Sequence, residues 1–110
     1  MATEATEPRL KELRIKTGAL KRLYKEVLCY QKELDTENAR LKKLVESNHG
    51  QEDIAHQEMV VEECLKIIPI TQQKLNDYYS DLENLVKECG DLKEAEIYQT
   101  AKQVLTATKP

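Results

Sequence analysis

The residues that could do chemistry in this chain are few and scattered. Two histidines, His49 and His56, and three cysteines, Cys29, Cys64 and Cys89, are the candidate ligands and nucleophiles. A zinc site needs about four ligands at tight spacing. His56 and Cys64 are the nearest His–Cys pair within one apolar-periodic stretch, and no further ligand clusters with them. A Cys–His nucleophile pair needs a third group to orient the base, and nothing in the sequence supplies one. Carboxylates abound, as at Glu62-Glu63, but on a charged helix they form the solvated face. Gly18 alone is no phosphate loop; as a small residue it would let helices approach closely. The sequence therefore points to no enzyme, no metal and no cofactor.

The remaining chemistry is charge. Basic residues gather early, at Arg9, Lys11, Arg14, Lys16, Lys21, Arg22 and Lys25, whereas Glu46 to Glu63 contains no Lys or Arg. Lys16, Lys21, Arg22 and Lys25 are the densest positive group. On a helix 21 and 25 share a face, with 22 adjacent. The group is either a solvated helix face or a surface for an acidic protein. The acidic stretch is open to the matching pair of readings: it faces a basic partner, or it keeps a hairpin tip soluble. The net charge of −3 and the lack of a continuous basic face argue against nucleic-acid binding.

Those charges must be carried by long helices. The chain has 110 residues, enough for one domain. It is 34% charged, with few Gly and Pro and neither Trp nor Phe, a composition of long helices. Steps of seven from Leu13 reach Leu20, Val27, Leu34 and Leu41, all apolar. This heptad seam belongs to helices packed nearly parallel or antiparallel. Pro8 suits its start, and Ser47-Asn48-His49-Gly50 has turn chemistry, so helix 1 is expected over about 9–46. Residues 1–8 are expected to be a disordered extension. Met1 to Glu7 is polar and acidic, unlike a signal peptide. No apolar run approaches the roughly 18 residues of a membrane span. Three widely separated cysteines form no disulfide framework and fit reduced thiols in a cytosolic protein.

A second seam runs through Ile54, Val61, Ile68, Leu75, Leu82 and Cys89. It crosses Pro69 without losing phase, although a helix interior normally rejects proline. A bend keeps the residue count and a loop generally breaks it, so a kinked helix over 52–89 is favoured over two separate helices. Gly90 is a candidate C′ residue. Asp91 and Glu94 resemble a capping box that opens helix 3, over 91–108, with Ile97, Tyr98, Ala101, Val104 and Leu105 as its apolar stripe. The expected fold is all-α: an antiparallel three-helix bundle, two helices long and one short. Helix 3, folded back from Gly90, should end opposite about residue 72 of helix 2. Beyond it a two-helix hairpin would expose the sides of Leu34, Leu41, Val61 and Leu65.

Four stretches resemble one family. "RIKTGALKRL", Arg14 to Leu23, is similar to the Ile-Lys-Thr-Gly…Lys-Arg-Leu opening of tubulin-binding cofactor A, a small helical chaperone of β-tubulin. "EDIAHQE" near the start of helix 2, the Ile68-Pro69 pair in mid-helix and "DLKEAEIYQTA" from Asp91 to Ala101 agree in order and spacing. Ile70 departs from the acidic residue that often follows the proline. The resemblance implies a cytoplasmic, cytoskeleton-associated chaperone that buffers newly folded β-tubulin, an acidic client, before other tubulin-folding cofactors assemble it with α-tubulin. It implies no nucleotide, metal, membrane or catalysis. Lys16, Lys21, Arg22 and Lys25 become the candidate client contacts. The state is monomer or homodimer. The rival reading is a homo-oligomeric coiled-coil scaffold without tubulin binding, against which Pro69 and the short third helix both count.

Overall fold

The computed structural model describes residues 6–109. These form helices α1 (Thr6–Glu46), α2 (Gln51–Glu88) and α3 (Glu96–Thr108), with a 3₁₀ turn at Gly90–Leu92 and no strand among the described residues. The expectation of disorder over 1–8 falls on residues 1–5 outside that range, while 6–8 belong to the first turn of α1. Pro8 is tolerated there because the first-turn N–H groups have no intrahelical acceptor.

α1 closes on Asn48, whose φ of 54° is left-handed, a conformation Asn adopts more readily than most residues. The carbonyls of Lys43, Leu44 and Val45 accept from Ser47, His49 and Asn48, at 2.9, 3.1 and 3.2 Å. The Gly50 carbonyl accepts the first α2 bonds, from Asp53 and Ile54.

The chain divides into two compact units. Residues 6–25 and 73–109 form a three-helix unit, and residues 26–72 form a two-helix hairpin. The three-helix unit has a closed apolar core: Leu13, Leu20 and Leu23 of α1, Leu75, Leu82, Leu85 and Val86 of α2, Cys89, and Tyr98, Ala101, Val104 and Leu105 of α3. Leu13, Leu20, Leu82 and Cys89 are fully buried. Each leucine removed from water in this way stabilises the fold by about 1.5–3 kcal/mol.

The hairpin is thinner. Its buried apolar residues are Val27 and Val61, while Leu34, Leu41, Leu44, Ile54 and Ile68 are half-buried. Val61, expected to be exposed in part, is buried at the centre of the seam, and Leu65 is exposed. The most buried polar pair lies here too. Gln57 Nε2 donates to the Glu37 carbonyl at 2.9 Å and to Glu37 Oε2 at 2.7 Å. Arg40 closes the group with a contact to Glu37 Oε1 at 3.1 Å.

α2 runs unbroken through Pro69, which removes the two-helix reading. Pro69 has no N–H to offer the Leu65 carbonyl, and Leu65 lies at the surface. Just beyond it, Thr71 Oγ1 donates to the carbonyls of Ile67 and Ile68, at 3.1 and 3.0 Å.

Two expectations about caps fail. α3 begins at Glu96, not at 91, and its N-cap Ala95 has no capping side chain. The Asp91 carboxylate is engaged elsewhere: Arg9 donates to both its oxygens, at 2.9 and 2.8 Å. Residues 90–92 instead form a 3₁₀ turn, with Leu92 N donating to Cys89 O at 2.8 Å. Gly90 has no positive φ and open space around the position of a Cβ, so it is not a left-handed cap. Gly18 likewise makes no close helix approach. The nearest atom to a Cβ there would be Nη1 of Arg22, at 3.3 Å, on its own helix.

Candidate partner-binding surfaces

In the three-helix unit, the core side of α1 is set by Leu13, Thr17, Leu20 and Leu23, all buried. The opposite side follows from the helical period. Residues 11, 14, 18, 21 and 25 recur at intervals of three and four and so share one face, with 22 beside them. Lys11, Arg14, Lys21, Arg22 and Lys25 are all exposed. None forms an ion pair among the described residues. Gly18 lies amid these cations and leaves room for the Arg22 guanidinium to fold across the helix.

The structure brings together three of the four residues singled out from the sequence. Lys21, Arg22 and Lys25 are neighbours on this face. Lys16 is half-buried on the other flank, 3.7 Å from Glu12, where it lines a shallow cleft of about 120 Å³ with Tyr78 and Asp81. Arg14 and Lys11 belong to the face in its place. Their signal was present in the spacing: counting back from Lys25 and Lys21 by helical steps reaches both.

The hairpin offers a different chemistry. A groove of about 290 Å³ is lined by Tyr30, Glu33, Val60, Glu63, Cys64 and Ile67. Burial pushes the Cys64 thiol up, and the nearby carboxylates of Glu33, Glu37 and Glu63 push it the same way. The thiolate, which is the nucleophilic form, is thus disfavoured where a Cys–His pair would need it. His49 and His56 are exposed. Among the described residues no group of three His, Cys, Asp or Glu side chains is placed to hold a metal ion. None of their helices is long and apolar enough to cross a membrane.

The Glu37–Gln57 pair is the feature that sequence reading missed. Residue 37 is three after Leu34 and 57 is three after Ile54, so both occupy seam positions. A buried polar pair at such positions sets helix register. It ties α1 to α2 through the two hydrogen bonds that Gln57 donates to Glu37.

A sequence model of the tubulin binding cofactor A family matches residues 8–105. The chain belongs to that family. It is 35% identical over 103 residues to human tubulin-specific chaperone A, covering 94% of this chain and 95% of the relative. It is 33% identical over 102 residues to tubulin-specific chaperone A of Saccharomyces cerevisiae, covering 89% and 96%. Among solved structures it is similar to human tubulin chaperone cofactor A, with a TM-score of 0.82 at 34% identity over 94% of this chain and all of that one. Tubulin folding cofactor A from Arabidopsis thaliana gives 0.86 at 27% identity, over 94% and 97%. As a cofactor A family member the chain has the fold of its relatives. The motifs from Arg14 to Leu23 and from Asp91 to Ala101 lie within the matched span.

Proposed function

We propose that this chain is a tubulin-folding chaperone that binds newly folded β-tubulin in the cytoplasm and holds it before assembly with α-tubulin and the other tubulin-folding cofactors. It acts by presenting a surface and not by catalysis. Membership of the tubulin binding cofactor A family supports tubulin as the client. The observation that carries the reading is the outward face of α1, where Lys11, Arg14, Lys21, Arg22 and Lys25 are exposed and have no ion-pair partner among the described residues. Unpaired like charges on one face repel one another, and an acidic client relieves that repulsion. Charge contacts of this kind steer association and set its salt dependence, with apolar contacts supplying much of the remaining affinity.

Lys16 takes the smaller part, because Glu12 already neutralises it. The test is capture of β-tubulin by the parent and by the triple variant Lys21→Glu, Arg22→Glu, Lys25→Glu. All three side chains lie off the core, so circular dichroism should show an intact fold while capture at low salt falls. Equal capture by the folded variant would return the basic face to plain solvated surface.

A further inference from the structure

A groove runs between α2 and α3 on the three-helix unit, and no residue of α1 lines it. It holds about 360 Å³, within the roughly 300–1,000 Å³ range of ligand clefts. Tyr79 and Val86 of α2 and Leu105 of α3 supply its apolar lining. Val86 and Leu105 belong to the core and Tyr79 is half-buried, so the floor is a continuation of the packed interior.

The rim is basic. Lys87, Lys102 and Lys109 line the groove and are exposed. None of the three forms an ion pair among the described residues. Lys102 Nζ lies 6.0 Å from the centre of the Tyr98 ring, a contact that orients the ammonium group without neutralising it. The carboxylate in the lining is that of Glu83. It stands four residues before Lys87, the favourable spacing for a helical ion pair, yet the two form none. Three cations against one carboxylate give the groove a local charge of +2, on a chain whose net charge is −3.

We propose that this groove is a docking site for an extended acidic segment of a partner protein. A large apolar side chain of the segment sits on Tyr79, Val86 and Leu105, and carboxylates on either side of it meet the three lysines. α2 and α3 are joined by a short connection and run antiparallel, so Lys87 and Lys102 stand at one end of the groove and Lys109 at the other. Residues 102 and 109 are about 10 Å apart along the axis, at about 1.5 Å per residue. An extended chain rises about 3.3 Å per residue, so acids about three residues apart, with the apolar residue between them, span the two ends.

Sign decides the occupant. The hairpin groove, with Glu33 and Glu63 in its lining, repels such a segment. A polynucleotide is held by a run of cations along its phosphates, and this short groove does not supply one. Docking here uses no residue of the α1 basic face and so does not depend on how tubulin is held.

The test is fluorescence anisotropy of the whole chain with a labelled glutamate-rich peptide carrying one central phenylalanine. The parent should bind it with a Kd of about 10–100 μM, more weakly as salt rises. Lys87→Glu with Lys102→Glu should weaken binding at least about tenfold, which corresponds to about 1.4 kcal/mol, while circular dichroism shows an intact fold. Lys87→Arg with Lys102→Arg should bind as the parent does, and so should the α1 variant Lys21→Glu, Arg22→Glu, Lys25→Glu. A peptide with serine in place of the phenylalanine should bind several-fold more weakly. No binding by the parent at low salt overturns the proposal, as does undiminished binding by the folded Lys87→Glu, Lys102→Glu variant. Equal affinity for the serine peptide, or for a single-stranded oligonucleotide, would make the groove a general anion surface and also overturns it. Binding lost in the α1 variant would place the peptide on α1 and overturn it equally.

Discussion

The three-helix unit and the hairpin draw on the same two long helices and the same heptad phase, yet they are held together differently. In the first, a third helix covers the seam, and Leu13 and Leu20 of α1 and Leu82 of α2 reach full burial. In the second, two helices alone cannot enclose their seam. The seam leucines Leu34, Leu41 and Leu44 stay half-buried, and its buried polar pair is Glu37 with Gln57. The difference teaches that a heptad pattern fixes which residues meet, whereas burial depends on how many elements surround them. The unit with the closed core presents the basic face.

Equal truncations in the two units put this contrast to the test. Leu20→Ala or Leu75→Ala should cost about 2–5 kcal/mol, because each leaves a cavity in a closed core. Leu34→Ala in the hairpin should cost less than half as much, since water already reaches that site. Denaturant midpoints measure both, and equal losses would mean that the hairpin is as closed as the three-helix unit. Next in size is Gln57→Ala. It should cost about 1–3 kcal/mol by leaving the Glu37 carboxylate without its buried donor. Replacing both residues with leucine should recover stability but relax the register of the hairpin, which hydrogen exchange across α1 and α2 would reveal.

The smallest effect is at Pro69. We propose that α2 bends there, since interior prolines are a usual cause of helix kinks. Pro69→Ala should leave helicity by circular dichroism unchanged or slightly higher. A large loss would mean that the proline defines a helix start.

The helices were legible in the sequence because their evidence repeats. Six apolar residues from Ile54 to Cys89 keep phase, and one proline cannot hide that. What was not legible depended on partners far away in the chain. Asp91 looked like a cap for helix 3, but Arg9, 82 residues earlier, takes its carboxylate. Arg9 in turn holds that carboxyl below the ordinary carboxylate range. Gly90 looked like a left-handed stop, but the chain passes through it with φ negative and into a 3₁₀ turn. Glu37 and Gln57 left no signal, because hydrophobic periodicity counts polar residues as absences and cannot show two of them bonding. At the candidate surface, Lys21, Arg22 and Lys25 were recoverable from helical spacing. Lys16 was grouped with them by sequence proximity, although the helix turns it to the other flank.

The central claim is that the basic face of α1 holds an acidic tubulin surface. The most direct measurement is the affinity of the pure chain for β-tubulin as a function of salt, for the parent and for the triple variant at Lys21, Arg22 and Lys25. The account predicts tight binding at low salt that weakens steeply as salt rises, and a folded variant that binds more weakly with a flattened response. No binding of β-tubulin by the parent at low salt, or the same affinity and salt response in both proteins, would contradict it.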